Sequence, residues 1–303
     1  WPTDGAPFSD AELLSIATDE QDAEIFPLVL GVKADYGVFS ADSAITAGRA
    51  QYRIPARAHG GRLRDLVHVD ASGRTSSVVV VDPEDLTHHD VVNPSESPYV
   101  ASIESDFVTL DPEPTTTRGT LRQKFYVRPG TLLSIALIDD ATPFTDDDQP
   151  QAWEILGVDL DANTLQLDDT DLPGAWPTNV LADIIGNGGG FPYLALDRVT
   201  TTNTAGLVTF TEDLPATVAI GDWLTTARYS PVPTLPDLAH AVLAQRVAAI
   251  ALDMHGEGEP AARAMKRYEQ MAARMIDTLE NRIDGEAQPM IPRYSPIRAM
   301  RNM

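Results

Sequence analysis

Six histidines, no cysteine and forty-five acidic side chains bound the chemistry open to this chain of 303 residues. Without cysteine there is no thiolate nucleophile, no disulfide framework and no thiolate metal site. His88-His89-Asp90 sets two imidazoles beside a carboxylate, but no third histidine stands at helical spacing, and the triplet reads as a solvated loop. Asp159, Asp161 and Asn163 imitate the first ligands of a calcium loop. Thr164 stands where that loop needs glycine and Thr170 where it needs glutamate, so a hairpin turn is the better account. Gly186-Asn187-Gly188-Gly189-Gly190 matches neither phosphate-loop pattern, has no lysine after it, and reads as a flexible loop. Asp146-Asp147-Asp148 reads as a solvated loop tip. There is no Gly-x-Ser-x-Gly elbow and no His–carboxylate arrangement visible in the order of residues, so nucleophilic catalysis has no candidate. The expectation is a protein that is not an enzyme and carries no metal and no cofactor.

Charge narrows the partners. The net charge is −23, and it is unevenly placed. From Leu235 onward nine acids balance nine bases, while the residues before it hold thirty-six acids against thirteen bases. A polyanion is attracted by clustered Lys and Arg, so sequence-specific DNA binding is not expected. No signal peptide is visible, and no run approaches the roughly eighteen apolar residues of a membrane span.

The elements that would carry any function fall in a mixed order. Ser9 and Glu12 have capping-box spacing ahead of Leu13, Leu14 and Ile16, which predicts a helix from about Asp10. A second helix is predicted to begin at Pro27, and the Ala-rich residues 40–51 read as a third, ended by Ile54-Pro55. The period then shortens. Residues 62–69 and 75–81 read as strands about a Ser72-Gly73 turn, followed by strands at 107–110, 121–127 and 132–138. An Asp-rich connection over 139–149 precedes two hairpins, 153–167 turning at Asp161-Ala162-Asn163 and 194–211 turning near Thr202-Asn203. A closing strand is expected within 218–226, which together makes a small antiparallel barrel or sandwich.

The C-terminal fifth organises the rest. Pro236 opens a helix in which Leu243, Val247, Ile250 and Met254 draw one apolar stripe, and residues 255–260 break it. Met265, Tyr268, Ala272, Met275, Leu279 and Ile283 draw a second stripe, and eleven alanines between Leu235 and Ala273 allow close antiparallel packing of the two helices. Beyond Gly285 three prolines forbid a regular helix, yet Met290, Ile291, Tyr294, Ile297 and Met300 are too apolar for an ordinary disordered tail. The reading is an α+β fold: a helical core with a C-terminal antiparallel helical hairpin, inserted antiparallel strands forming a small β-barrel, and an extended C-terminal tail. Its parts are an N-terminal helical part over 1–60, a β-rich region over 61–149, the barrel or sandwich over 150–230, the hairpin over 231–287 and the tail over 288–303.

Three patches resemble the head–tail adaptor proteins of tailed bacteriophages. Gln51-Tyr52-Arg53-Ile54-Pro55 and the residues on to Val67 are similar to the family's helix-to-strand passage. The stretch from Tyr229-Ser230-Pro231 to Ala248 is similar to its approach to the hairpin, and that from Arg282-Ile283-Asp284 to Arg298 to its exit into the tail. The resemblance covers roughly a fifth of the chain. It implies a structural virion protein, bound beneath the portal protein as a homo-oligomeric ring of usually twelve copies, with tail or nozzle proteins downstream. It also implies that DNA passes through the channel without specific binding, that no membrane is involved, and that the protein resides in the neck of a virion assembled in the host cytoplasm. The tail would then be the portal anchor, with Met290, Ile291, Tyr294 and Ile297 in apolar slots and Arg293, Arg298 and Arg301 pairing with carboxylates. Two other readings stand beside it. One is a carbohydrate- or receptor-binding tail protein whose barrel presents Trp153, Trp176 and Trp223; the other is a carboxylate-based glycosidase, which rests on acid content alone.

Overall fold

The computed structural model describes residues 8–86, 100–133, 152–167, 179–187, 191–204 and 206–280. Its class is α+β. The chain begins with a rod made of α1 (Asp10–Glu20), a π-helical turn (Gln21–Ile25) and α2 (Phe26–Val32). Ser9 starts the rod as its sequence predicts: the Glu12 N–H donates to Ser9 Oγ at 3.3 Å and the Ser9 N–H donates to the Glu12 carboxylate at 2.7 Å. Pro27 sits at the second position of α2, where a missing N–H costs little, so it continues the rod instead of starting a separate helix.

The helix expected over 40–51 is absent. Val38–Ala44 is strand β1 and Gln51–Arg53 is β2. Alternation overrides alanine content here: Phe39 and Ala41 pack on the core while Ser40 and Asp42 are exposed. All seven residues of β1 also find antiparallel partners on β8 (Thr120–Val127). Strands therefore begin inside the stretch read as an N-terminal helical part.

Two four-stranded sheets share a core. The first has the order β1-β8-β3-β4, with β3 at Ala58–Val69 and β4 at Thr75–Ser77. The second has the order β2-β7-β6-β5, with β5 at Val79–Val81, β6 at Val100–Glu104 and β7 at Phe107–Asp111. The strand predicted over 75–81 is thus split, and the chain changes sheets at buried Val78. A short helix, α3 (Pro83–Leu86), follows β5. Leu66, Leu121 and Phe125 from the first sheet meet Tyr52, Val108 and Leu110 from the second. Strand pairing is not antiparallel throughout, since β5 runs parallel to β6.

The predicted barrel is present and closed. Its strands are β10 (Ala152–Asp159), β11 (Thr164–Leu167), β12 (Leu181–Ile185), β13 (Tyr193–Thr204), β14 (Leu207–Phe210) and β15 (Trp223–Thr226), in the order β10-β11-β14-β13-β12-β15. β15 closes it by pairing with both β10 and β12, which leaves no free sheet edge. Ile155, Leu165, Leu167, Ile184, Val208 and Leu224 fill the interior. The second hairpin turns at Gly206, with φ +77°, later than the sequence suggested, and β12 was not foreseen. Outside the barrel, β9 (Thr131–Leu132) and β16 (Tyr229–Ser230) pair in parallel, so the chain leaving the barrel is joined to the chain that preceded it.

After β16 come α4 (Asp237–Met254) and α5 (Gly258–Glu280). Pro236 caps α4 from just outside, and Gly256 at φ +82° makes the turn between the helices. α5 doubles back on α4, with Gln245 Nε2 donating to the Ala264 carbonyl at 3.3 Å. Ile25, Phe26 and Val29 of the rod pack with Leu243, Tyr268 and Met275 of the pair, each such burial stabilising the fold by about 2 kcal/mol. The predicted strand continuation at 134–138, the connection 139–149 and the tail 288–303 lie outside the described residues.

Candidate functional site

Among the described residues, buried polar groups converge at a junction and in the helical layer above it. At the junction the π turn presents Gln21, wholly buried. Its Nε2 donates to the Gly130 carbonyl at 3.1 Å, and its Oε1 accepts the Thr234 N–H at 3.0 Å. Thr18 Oγ1, one turn earlier, accepts the Leu132 N–H at 3.0 Å. One face of the rod therefore satisfies backbone groups at and just before β9 and just before α4. Such groups would otherwise be buried without partners, at a cost comparable to a lost hydrogen bond. Glycine suits position 130, because a Cβ there would lie 2.8 Å from Tyr193 Oη and force the buried phenol to shift.

Beneath this junction lies a buried ion cluster. Arg57, from the loop before β3, donates to Asp183 Oδ2 at 2.7 Å and Asp197 Oδ1 at 3.3 Å. Asp183 has no exposed surface and also accepts the N–H groups of Asp197 and Arg228 at 2.9 and 2.8 Å. Burial pushes the Asp183 carboxyl up, and Arg57 with the two N–H donors pulls it back. The guanidinium lies 5.6 Å from the Tyr193 ring centroid, and burial raises that phenol well above its usual range. This cluster clamps the barrel to the first sheet. No sequence signal marks it, since Arg57 stands more than a hundred residues from both carboxylates and each member is one Asp or Arg among many.

Across the layer above, the rod is tied to the hairpin by polar contacts. Arg246 Nε donates to Glu20 Oε2 at 2.8 Å, and its guanidinium lies 5.1 Å from the Tyr268 ring centroid. Tyr268 Oη donates to Glu24 Oε1 at 3.2 Å. Burial, with Glu24 second, pushes the Tyr268 phenol up to about 12. His240 Nε2 faces the carbonyls of Pro233 and Leu235 at 3.2 and 3.0 Å, so this nitrogen carries the proton. Beside His240 a cleft of about 240 Å³, lined also by Asn187, Pro192, Val232, Leu235 and Asp237, falls short of the ~300–1,000 Å³ typical of ligand sites.

The predicted anchor residues Met290, Ile291, Arg293, Tyr294, Ile297, Arg298 and Arg301 lie outside the described residues, as do His88-His89-Asp90, Asp146-Asp147-Asp148 and Trp176. Asp159 caps the first barrel hairpin, accepting the Asp161 and Ala162 N–H groups through Oδ1, while Asn163 bonds to Asp213 and the Leu214 N–H. These groups bind the turn itself. Gly186 and Asn187 leave β12, and Asn187 is held by Asp222 through its N–H at 2.9 Å. Trp153 packs inside the barrel, whereas Trp223 packs outside it against the core of the two sheets. The two do not converge on a groove. Asp183 and Asp197 are the carboxylates drawn together by Arg57, and Asp183 has no access to a substrate. One His–carboxylate contact escaped the sequence reading: His59 Nδ1 lies 3.1 Å from Asp22 Oδ1, and Asp22 Oδ2 is held by Arg128 at 2.8 Å. No hydroxyl nucleophile is hydrogen-bonded to His59 among the described residues. Nor does any group of three or more His, Asp or Glu among them come together as a metal site.

No helix among the described residues is long and apolar enough to cross a membrane. A scan against protein-family models finds no match, and a search of curated proteins finds none either.

Proposed function

We propose that this chain is a head-to-tail adaptor of a tailed bacteriophage: a structural virion protein that forms a ring beneath the portal and surrounds the DNA exit path. The observation that supports it most is the placement of the α4–α5 pair. It is braced against the rod by Glu20–Arg246 and Glu24–Tyr268, and it is the element from which the chain continues toward residues 288–303. A braced platform carrying an arginine- and proline-rich apolar segment suits repeated docking on a symmetric partner. Prolines at 289, 292 and 296 limit the conformations lost on docking, and many copies engage at once.

The role needs no catalytic group, and twelve copies is the number the family resemblance favours. Tail or nozzle proteins would bind on the far side from the portal. The acidic surface suits passage of DNA without adhesion, and β8 cations are already neutralised within the chain: Arg122 makes a bidentate pair with Asp42 at 2.8 and 2.7 Å, and Lys124 faces Asp65 at 3.3 Å. Assembly in the host cytoplasm and residence in the virion neck follow from this reading.

The test is truncation after Ala287, followed by binding to the cognate portal. The full chain is expected to bind. The truncated chain, which retains α5 through Glu280, is expected to keep its helical content and lose the portal. Undiminished binding by the truncated chain would place the anchor elsewhere.

A further inference from the structure

We infer that β1 is an acceptor edge, to which an extended arm of the tail-side partner adds as a fifth strand of the first sheet. The inference rests on the proposed adaptor function, which gives the portal to residues 288–303 and leaves the contact with tail proteins unplaced. β1 is the outermost strand of the order β1-β8-β3-β4, and among the described strands it pairs with β8 alone. Its register is unbroken from Val38 opposite Tyr126 to Ala44 opposite Thr120. The bonds that bracket this ladder fix which groups face β8. The Val127 N–H donates to the Gly37 carbonyl at 2.8 Å, and the Ile45 N–H donates to the Gly119 carbonyl at 3.1 Å. Bonded and non-bonded pairs alternate in an antiparallel ladder, so Phe39, Ala41 and Ser43 also turn their N–H and C=O groups to β8. Val38, Ser40, Asp42 and Ala44 turn theirs away, and no described residue bonds to these backbone groups. The free groups recur about every 6.8 Å along about 24 Å of edge.

The other described edges are closed, capped or short. The barrel has no edge. At β2 the chain caps itself: Arg49 Nε donates to the Gln51 carbonyl at 3.0 Å and Gln123 Nε2 to the Arg53 carbonyl at 3.1 Å. β4 and β5 have three residues each, and Pro83 stands just beyond β5. β1 has seven residues with no proline, no lysine and no bulge. Its single charge, Asp42, is neutralised by Arg122. Exposed edges are ordinarily blunted by one of these devices, and an edge without them is a template for another strand.

Only an extended backbone meets donors and acceptors at that repeat, so the occupant is a strand, held by main-chain bonds and selected by its alternate side chains. Phe39 and Ala41 pack on the core of the two sheets yet are only half-buried, so the inward positions of the arm are apolar. Ser40 and Asp42 are exposed on the other face, so its outward positions are polar. A net charge of −23 opposes an acidic arm and favours a neutral or basic one. A second copy is a poorer occupant. Its β4 and β5 offer three residues against seven. Pairing of β1 with β1 requires a two-fold axis, which does not recur between neighbours in a ring whose copies all face one portal. Residues 288–303 carry prolines at 289, 292 and 296, each lacking the N–H that a strand donates.

The experiment is residue-resolved hydrogen exchange on the full chain, alone and with the peptide Thr-Val-Lys-Val-Thr-Val-Lys at millimolar concentration. Alone, the Ser40, Asp42 and Ala44 N–H groups are expected to exchange at least about tenfold faster than those of Phe39, Ala41 and Ser43. With the peptide the first set is expected to slow about tenfold and the second to stay as it was. The same peptide methylated on alternate backbone nitrogens is expected not to bind. Ser40→Pro removes an outward N–H and leaves the β8 ladder whole, so it is expected to keep the fold and lose the peptide, whereas Ser40→Thr keeps both. With portal and tail proteins present, Ser40→Pro is expected to seat on the portal and fail to take up the tail proteins. Slow exchange at Ser40, Asp42 and Ala44 in the free chain would show that the chain covers its own edge, and would overturn the inference. So would a peptide that gives no protection, equal binding of the methylated peptide, or normal tail uptake by Ser40→Pro. A dimer of the free chain that Ser40→Pro dissolves would assign the edge to a second copy instead. Failure of the wild-type chain to seat on the portal would overturn the adaptor reading, and the peptide result is read separately from it.

Discussion

The Gln21 side chain accepts the backbone N–H of Thr234 at 3.0 Å, although 213 positions of sequence separate the two residues. Through its other atom, Nε2, the same side chain holds the Gly130 carbonyl, so a single amide joins the rod, the approach to β9 and the approach to α4. The π turn makes this possible by widening the helix where Gln21 turns inward.

Replacing Gln21 with Ala removes both bonds and leaves a buried N–H and a buried carbonyl unpaired. The expected loss is about 2–4 kcal/mol, measured by denaturant unfolding. Gln21→Glu keeps the acceptor for Thr234, loses the donor to Gly130 and adds a buried charge, so it is expected to be no better than Ala. A loss within experimental error for Gln21→Ala would show that the junction is held by its apolar neighbours alone.

The helical layer was legible from sequence because its signals are local. The Ser9–Glu12 box, the apolar stripe with Tyr268, Ala272 and Met275, and the turn at Gly256 each lie within a few turns of helix. Barrel hairpin β10–β11 was legible for the same reason, with Asp159 and Asn163 at its turn. What escaped depends on distant partners. The strand β1 reads as helix until β8 is placed beside it, and Val79–Val81 reads as a continuation of β4 until the change of sheet is seen. The Arg57–Asp183 and His59–Asp22 contacts depend on tertiary folding, so spacing carries no trace of them. The portal-anchor residues 288–303 rest on composition and resemblance.

Arg57→Ala leaves Asp183 buried without its cation and is expected to cost about 3–5 kcal/mol. With Arg57 gone, burial holds the Asp183 carboxyl further above its unfolded value. A raised acid binds its proton more tightly in the folded state, so stability falls as pH rises past the unfolded value. The gap between Arg57→Ala and wild type is therefore expected to be smaller in the ordinary carboxylate range than above neutrality. Arg57→Met/Asp183→Asn, which removes the buried charge and keeps an acceptor beside the Asp197 and Arg228 N–H groups, is expected to recover part of the loss. Unfolding curves across pH check all three outcomes.

Tyr268 supplies an alkaline test. Its phenol is raised from 10.0 to about 12 by burial and by Glu24, so the folded state keeps the proton through that window. The stabilisation from its bond to Glu24 is fully present below 10.0 and declines as pH climbs toward about 12. The stability difference between wild type and Tyr268→Phe is expected to shrink across the same window. A constant difference would mean that the phenol bond contributes nothing to bracing the hairpin.

A head-to-tail adaptor must assemble around a central channel together with its portal. Electron microscopy of the purified chain mixed with cognate portal is the direct measurement. The expected result is a closed ring of this chain seated on the portal, with the channels aligned. A chain that remains a free monomer beside intact portals, at concentrations where virion components assemble, would contradict it.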